Sequence, residues 1–186
     1  MISEQYMLTA AHCVYNRKLG SSAKSITAYF GATGSKYAKS VTASQVSWCS
    51  SYPSTNSVKN DWGCIKLSTK PNRGYFSIGY TSDSTLQANT LTVCGYPNDK
   101  SVSSSSAPIN GKKRYMYKMS GKLSKTTPNT VYYKFDTYHG QSGSPVYNGS
   151  YIVYAIHNTG GDSYNRGRRL TSTLVNAFVN NGWCSY

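Results

Sequence analysis

The chain has 186 residues and carries 20 Lys and Arg against six Asp and Glu, a net charge of +14. That length is about one average domain and can bury a sizeable core. Leu, Ile, Val and Phe supply only 30 residues, which beside such a charge would suggest disorder, but 18 Tyr and three Trp restore the apolar area and favour strands over helices. No window approaches 18 consecutive apolar residues, so a transmembrane helix is excluded, and the N-terminus has neither the basic region nor the apolar core of a signal peptide.

In chain order, Met1 to Leu8 reads as a strand and turn leading into Leu8-Thr9-Ala10-Ala11-His12-Cys13. Strand-like runs follow at Ser25 to Phe30, Val41 to Trp48, Gly63 to Leu67, Leu91 to Gly95, Arg114 to Met119, Thr130 to Asp136 and Tyr151 to His157. Turn residues separate them, the pattern of a sandwich or barrel. Ser101 to Ser106 is low in complexity and reads as a surface loop. Near the C-terminus, Leu174, Val175, Phe178 and Val179 share one helical face, Thr171 or Ser172 can cap the start, and Gly182 follows the end, predicting a helix over about 171–181.

A field of this sign attracts anything acidic, whether nucleic acid, anionic polymer or acidic peptide, and charge alone does not choose among them. The clusters Lys112-Lys113-Arg114 and Arg166, Arg168, Arg169 are expected to be solvated or steering surface. The five cysteines, Cys13, Cys49, Cys64, Cys94 and Cys184, show no CxxC or HxxxH spacing, which argues against zinc. Their odd number leaves one without a partner if the protein is extracellular.

Two motifs carry chemistry. In Gly140-Gln141-Ser142-Gly143-Ser144-Pro145 a serine flanked by glycines has an exposed hydroxyl and free amides that can turn toward an oxyanion, as acyl transfer requires. Far upstream stands His12, and between them Asp61 opens the strand-like Asp61-Trp62-Gly63-Cys64-Ile65-Lys66-Leu67. Asp83 and Asp99, the rivals to Asp61, sit in turns. Together TAAHC, the intervening Asp and GQSGSP resemble the trypsin-like serine proteases, in the chain order His, Asp, Ser.

The resemblance implies two packed antiparallel β-barrels with a C-terminal helix, all-β, the first over 1–85 with His12 and Asp61 and the second over 86–186 with Ser142. It implies a His12, Asp61, Ser142 triad, an oxyanion hole from the amides of Gly140 and Ser142, and no cofactor. Gly95-Tyr96-Pro97-Asn98-Asp99-Lys100, Thr137 and Ala155-Ile156-His157-Asn158 further resemble the glutamyl endopeptidases, as does Ser163 to Arg169. By that resemblance His157 and Thr137 would receive the carboxylate of a P1 glutamate. His139, three residues before the serine, either lines the mouth of the same pocket or points to solvent.

A histidine suits a buried carboxylate, whereas a pocket for Lys or Arg needs an acid, and none occurs between His139 and His157. The expected protein is thus a secreted, monomeric endopeptidase acting on acidic peptides, with no nucleic-acid partner. The alternative is an inactive or truncated homologue that binds anionic polymers. The family also places two strands before the histidine segment, so the first barrel is expected to be truncated at its N-terminus and the chain alone poorly soluble or inactive. By the same resemblance Cys13 is the orphan thiol; Cys49 with Cys64 is the favoured bridge, and Cys94 with Cys184 a guess by elimination.

Overall fold

The computed structural model describes residues 1–185; Tyr186, the last residue of the expected second barrel, lies outside them. In chain order the first half holds strands β1 (Tyr6–Thr9), β2 (Tyr15–Asn16), β3 (Ser21–Ser22), β4 (Thr27–Phe30), β5 (Lys39–Trp48) and β6 (Gly63–Leu67). The short helix α1 (Tyr52–Thr55) and a 3-10 turn at Val58–Asn60 separate β5 from β6. The second half holds β7 (Ser77–Ile78), helix α2 (Asp83–Ala88), β8 (Leu91–Gly95), β9 (Val102–Ser103), β10 (Lys112–Lys113) and β11 (Tyr117–Gly121). It continues with β12 (Lys125–Thr126), β13 (Thr130–Tyr133), β14 (Pro145–Tyr147), β15 (Ile152–Thr159), β16 (Asn165–Arg169) and helix α3 (Ser172–Asn180).

The strands form two main sheets. One runs β1-β6-β5-β4, and the other β11-β8-β14-β15-β16-β13-β12, with β7 joined to β15. Pairing is antiparallel except between β7 and β15. Local composition explains the placement: Gly63, Cys64, Ile65 and Leu67 are buried, so β6 sits between two partners, while Leu91, Val93 and Gly95 alternate with half-exposed neighbours and put one face of β8 inward. Each sheet encloses its own core, Val14, Ile65 and Leu67 in the first and Leu91, Val93, Val131, Tyr133 and Val146 in the second. A third cluster, with Ile2, Ala10, Ile156, Leu174, Val175 and Phe178, joins both halves to α3.

The cap on α3 is Thr171, whose hydroxyl accepts from the Leu174 amide at 3.3 Å. Past its end Gly182 adopts φ +67°, and the chain turns back so that Trp183 stacks on Phe178 at 5.4 Å. Trp62, the residue after Asp61, meets the same Phe178 ring edge-on at 5.3 Å. The helix therefore braces the segment that carries the candidate acid.

All five cysteine thiols are free. The favoured Cys49–Cys64 bridge fails on register. Cys64 stands opposite Ser47 and Gly63 opposite Trp48, so Cys49 lies against Trp62, where its amide donates to the Trp62 carbonyl. The two cysteines are diagonal neighbours, at a separation of about 7–8 Å that exceeds the usual disulfide span. Cys94 and Cys184 are likewise unbridged, and Cys13 is exposed.

Phe178, on α3, is fully buried against Trp62 and Trp183. Phe178→Ala is expected to lower the unfolding free energy by about 3–5 kcal/mol, measured by urea denaturation followed through tryptophan fluorescence.

Candidate active site

The end of β1 determines where His12 goes. Ala10 and Ala11 have no exposed surface, and the 3-10 turn Ala11–Cys13 that follows lifts His12 out of the core. Asp61 ends the Val58–Asn60 turn just before β6 and is buried. Its Oδ1 accepts from the His12 amide at 2.9 Å, and its Oδ2 lies 2.7 Å from His12 Nδ1. A carboxylate only accepts, so Nδ1 carries the hydrogen and Nε2 is left for the cleft. Burial alone would lower the pKa of this imidazole, but the hydrogen bonds with Asp61 and then Cys13 outweigh it and hold the value above 6.5. Asp83 pairs with Arg169 and Asp99 with Lys100, so neither rival reaches His12.

Ser142 sits on a turn that only glycine permits. Gly140 has φ +99° and Gly143 φ +82°, and a Cβ on Gly140 would stand 2.7 Å from the Tyr96 carbonyl oxygen. The His139 carbonyl accepts from the Asn98 amide at 2.7 Å, so the Gly140 N–H, on the opposite side of the same planar peptide, is turned the other way. Among the described residues neither this amide nor that of Ser142 donates to a protein acceptor. Gln141 is buried and its Oε1 accepts from the Tyr138 amide at 2.8 Å, which holds the turn from within. The Ser142 hydroxyl donates to the Asn158 carbonyl at 3.3 Å.

His12, Asp61 and Ser142 line one cleft of about 800 Å³, together with Thr137, His139 and His157. His139 is exposed, its ring edge-on to Tyr138 at 5.5 Å, whereas His157 is only 3% exposed. The His157 Nδ1 lies 2.6 Å from the hydroxyl of Tyr133, a residue with no exposed surface. Among the described residues that hydroxyl has no other partner, and burial raises its pKa, so it donates to Nδ1 and leaves the ring hydrogen on Nε2. Burial, then the charge on His12, pushes the His157 pKa down to about 4. At neutral pH the ring is an uncharged donor.

Asn158 and Tyr133 escape the sequence reading. Asn158 Nδ2 donates to the Asp61 carbonyl at 2.6 Å, while its Oδ1 accepts from the Arg168 amide at 2.5 Å. The expectation of a solvated Arg166, Arg168, Arg169 cluster is corrected. Arg168 is buried and donates to both oxygens of Asn129, Arg169 pairs with Asp83 and bonds the Thr81 and Thr127 carbonyls, and Arg166 lines the cleft. Among the described residues no three His, Cys, Asp or Glu side chains group to hold a metal ion.

A catalytic-type histidine and acid on one sheet, facing a serine turn on the other, define a class that comparison with known proteins makes specific. Residues 1–181 match the family described as Trypsin, and the chain belongs to the trypsin family. It is 32% identical over 193 residues to a glutamyl endopeptidase of Bacillus licheniformis, covering 97% of this chain and 57% of that protein. It is also 32% identical over 186 residues to a protein named extracellular metalloprotease of Bacillus subtilis, covering 95% of this chain and 55% of that one. The chain thus spans little more than half the length of these relatives. A solved structure of a Glu endopeptidase in complex with MPD aligns with a TM-score of 0.85 at 29% identity, over 98% of this chain and 83% of that chain. The expected all-β, trypsin-like fold with its C-terminal helix is borne out.

The depressed pKa of His157 has a measurable consequence. In the unfolded chain this ring takes up a proton near pH 6.5, but in the native state only near pH 4. Native stability is therefore lost as the pH falls from 6.5 to 4, by about 3 kcal/mol. His12, with its raised pKa, acts oppositely: its stabilisation is complete below pH 6.5 and is lost as the pH rises through its folded value. Urea unfolding of the parent and of His157→Gln at pH 7 and pH 4 should show the parent losing more stability on acidification.

Proposed function

We propose that this protein is a serine endopeptidase that acts outside the cell as a monomer and cleaves peptide bonds after glutamate. The observation that carries the reading is the His12–Asp61 bond facing the same cleft as the Ser142 turn. Neutral His12 takes the proton from the Ser142 Oγ as that oxygen bonds to the scissile carbonyl carbon. The hydroxyl must first leave the Asn158 carbonyl, to which it donates at rest. The amides of Gly140 and Ser142 receive the resulting oxyanion, a contribution of about 3 kcal/mol per donor to the barrier. As the tetrahedral intermediate collapses, His12 gives its proton to the leaving amine; it then deprotonates the water that releases the acyl group. Asp61 fixes the tautomer and offsets the charge on the imidazolium.

Support for glutamate at P1 comes from His157 and Thr137. Asp61 is the only carboxylate lining the cleft among the described residues, and it is engaged by His12, so no acid is left to receive Lys or Arg. The Tyr133-held Nε2–H of His157 and the Thr137 hydroxyl supply donors to a P1 carboxylate. His139, exposed at the cleft, lines its mouth. The Bacillus licheniformis relative bears the name glutamyl endopeptidase, and the Bacillus subtilis relative the word extracellular. The latter's name also says metalloprotease, but the described residues do not assemble three His, Cys, Asp or Glu side chains as a metal donor set.

Ser142→Ala is expected to reduce kcat/KM by at least about a thousandfold, and a fluorophosphonate should label Ser142 once per chain. Labelling elsewhere would refute the nucleophile. Because only neutral imidazole serves as base, the acid limb of kcat/KM should have its midpoint above pH 6.5 and shift down in Asp61→Asn.

For specificity, Glu at P1 should exceed Gln by about 10- to 100-fold, the worth of a hydrogen bond to a charged group. Asp, one methylene shorter, should be cut more slowly than Glu. His157→Leu should erase the Glu preference, and Tyr133→Phe should lower the Glu-to-Gln ratio by about tenfold through the freed tautomer. Equal loss on both substrates would mean that Tyr133 only packs.

A further inference from the structure

Two fixed cations line the cleft, whose one carboxylate among the described residues, Asp61, is already engaged by His12. Lys59 stands exposed in the Val58–Asn60 turn, and Arg166 lies half-buried on β16. Among the described residues neither joins an ion pair, and the Arg166 Nε is buried without a hydrogen-bond partner. The Arg168 Nε is buried and unpartnered in the same way, but of the two arginines only Arg166 lines the cleft, where a guanidinium with no ion-pair partner is an unmet demand for an acceptor.

Topology brings the two segments that carry these cations together. Asn158 ties Asp61 to Arg168. Lys59 comes two residues before Asp61 and Arg166 two residues before Arg168, and β16 packs on the turn that carries Lys59. Arg166 is in register with Thr159 on β15 and Tyr132 on β13, both of which line the cleft. His157 is in register with Gly167. Successive strand residues face opposite sides, so Arg166 points to the other face of the sheet from His157 and Tyr133. The cations thus form a wall separate from the His157 pocket, and Lys125, 4.6 Å above the Tyr132 ring, extends its positive surface.

We propose that Lys59 and Arg166 form a second acid-selecting subsite, which receives an Asp or Glu side chain within about three residues of the cleaved bond, roughly 10 Å of extended peptide. The inference rests on the glutamyl-endopeptidase reading of the same cleft and adds to it a preference for acidic runs. His157 reads the P1 carboxylate as a neutral donor; the wall attracts its neighbour by charge.

The test uses peptides with Glu at P1 and either Asp or Asn at each of three positions on both sides of the cleaved bond. One position should favour Asp over Asn in kcat/KM by about fivefold to tenfold, as expected for a half-exposed ion pair. That ratio should approach one in Lys59→Gln/Arg166→Gln and persist in Arg166→Lys. Lys59→Glu, a charge reversal at an exposed position, should lower the ratio severalfold even if the Arg166→Gln chain does not fold. A ratio near one at every position, or one unchanged in Lys59→Glu, overturns the subsite. The same peptides with Gln at P1 keep the two readings apart. Loss of P1 selectivity with the flanking ratio intact overturns only the P1 assignment, and a flat flanking ratio with intact P1 selectivity overturns only the subsite.

Discussion

The side chain of Asn158 is the constraint on which the cleft depends. Its amide donates to the Asp61 carbonyl, its oxygen accepts from Arg168, and its own backbone carbonyl holds the Ser142 hydroxyl. Histidine and acid belong to one sheet and the serine to the other, so without such a link their spacing would follow only from apolar packing, which tolerates sliding. Asn158 is almost fully buried. Removing either partner would strand a desolvated polar group at a cost of about 1–3 kcal/mol, which makes the relative position of the two halves a discrete minimum.

The serine turn shows the same economy. Gly143 donates its amide to the His157 carbonyl, and His157 donates its own to Ser144, so the turn is stitched to the strand that carries the candidate specificity residue. A Cβ on Gly143 would press within 2.4 Å of Thr9 Oγ1, and one on Gly95 within 2.2 Å of Ser144 Oγ. Thr9 lies just before the turn that presents His12. The glycines therefore set the closeness of approach between the histidine segment and the serine segment as well as the backbone conformation.

Legibility in the sequence followed the range of the interactions. β6 and β8 were readable to the residue because each is a short apolar run ended by turn residues, and Asp61 because it opens such a run. The expected strand over Arg114 to Met119 lies instead at Tyr117–Gly121, where pairing with β8 outweighs local composition. β16 was invisible as a strand: Asn165-Arg166-Gly167-Arg168-Arg169 has the composition of a solvated face, and only Asn129, Thr81, Thr127 and Asp83, remote in sequence, make Arg168 and Arg169 tolerable there. Helix α2 was hidden in what reads as a turn at Thr81 to Ser84, though Ser82 caps it through the Thr85 amide. Tyr133 and Asn158 act through partners 24 and 97 residues away, and no local pattern encodes such a pairing.

The distribution of charge in the cleft follows from what burial permits. A cation at the depth of His157 would lack both water and a counter-ion, and the ring accordingly stays neutral, offering direction without charge. Fixed positive charge is placed where solvent still reaches, on Lys59 and on the half-buried Arg166. A neutral donor held by Tyr133 discriminates by geometry, since a side chain that cannot accept leaves Nε2–H unbonded. Exposed cations discriminate by field, which is less exacting about shape but acts before contact. With 20 basic side chains against six acids, the surface adds to that field at long range, which under the proposed function would draw acidic chains toward a cleft whose buried donor selects by hydrogen-bond geometry.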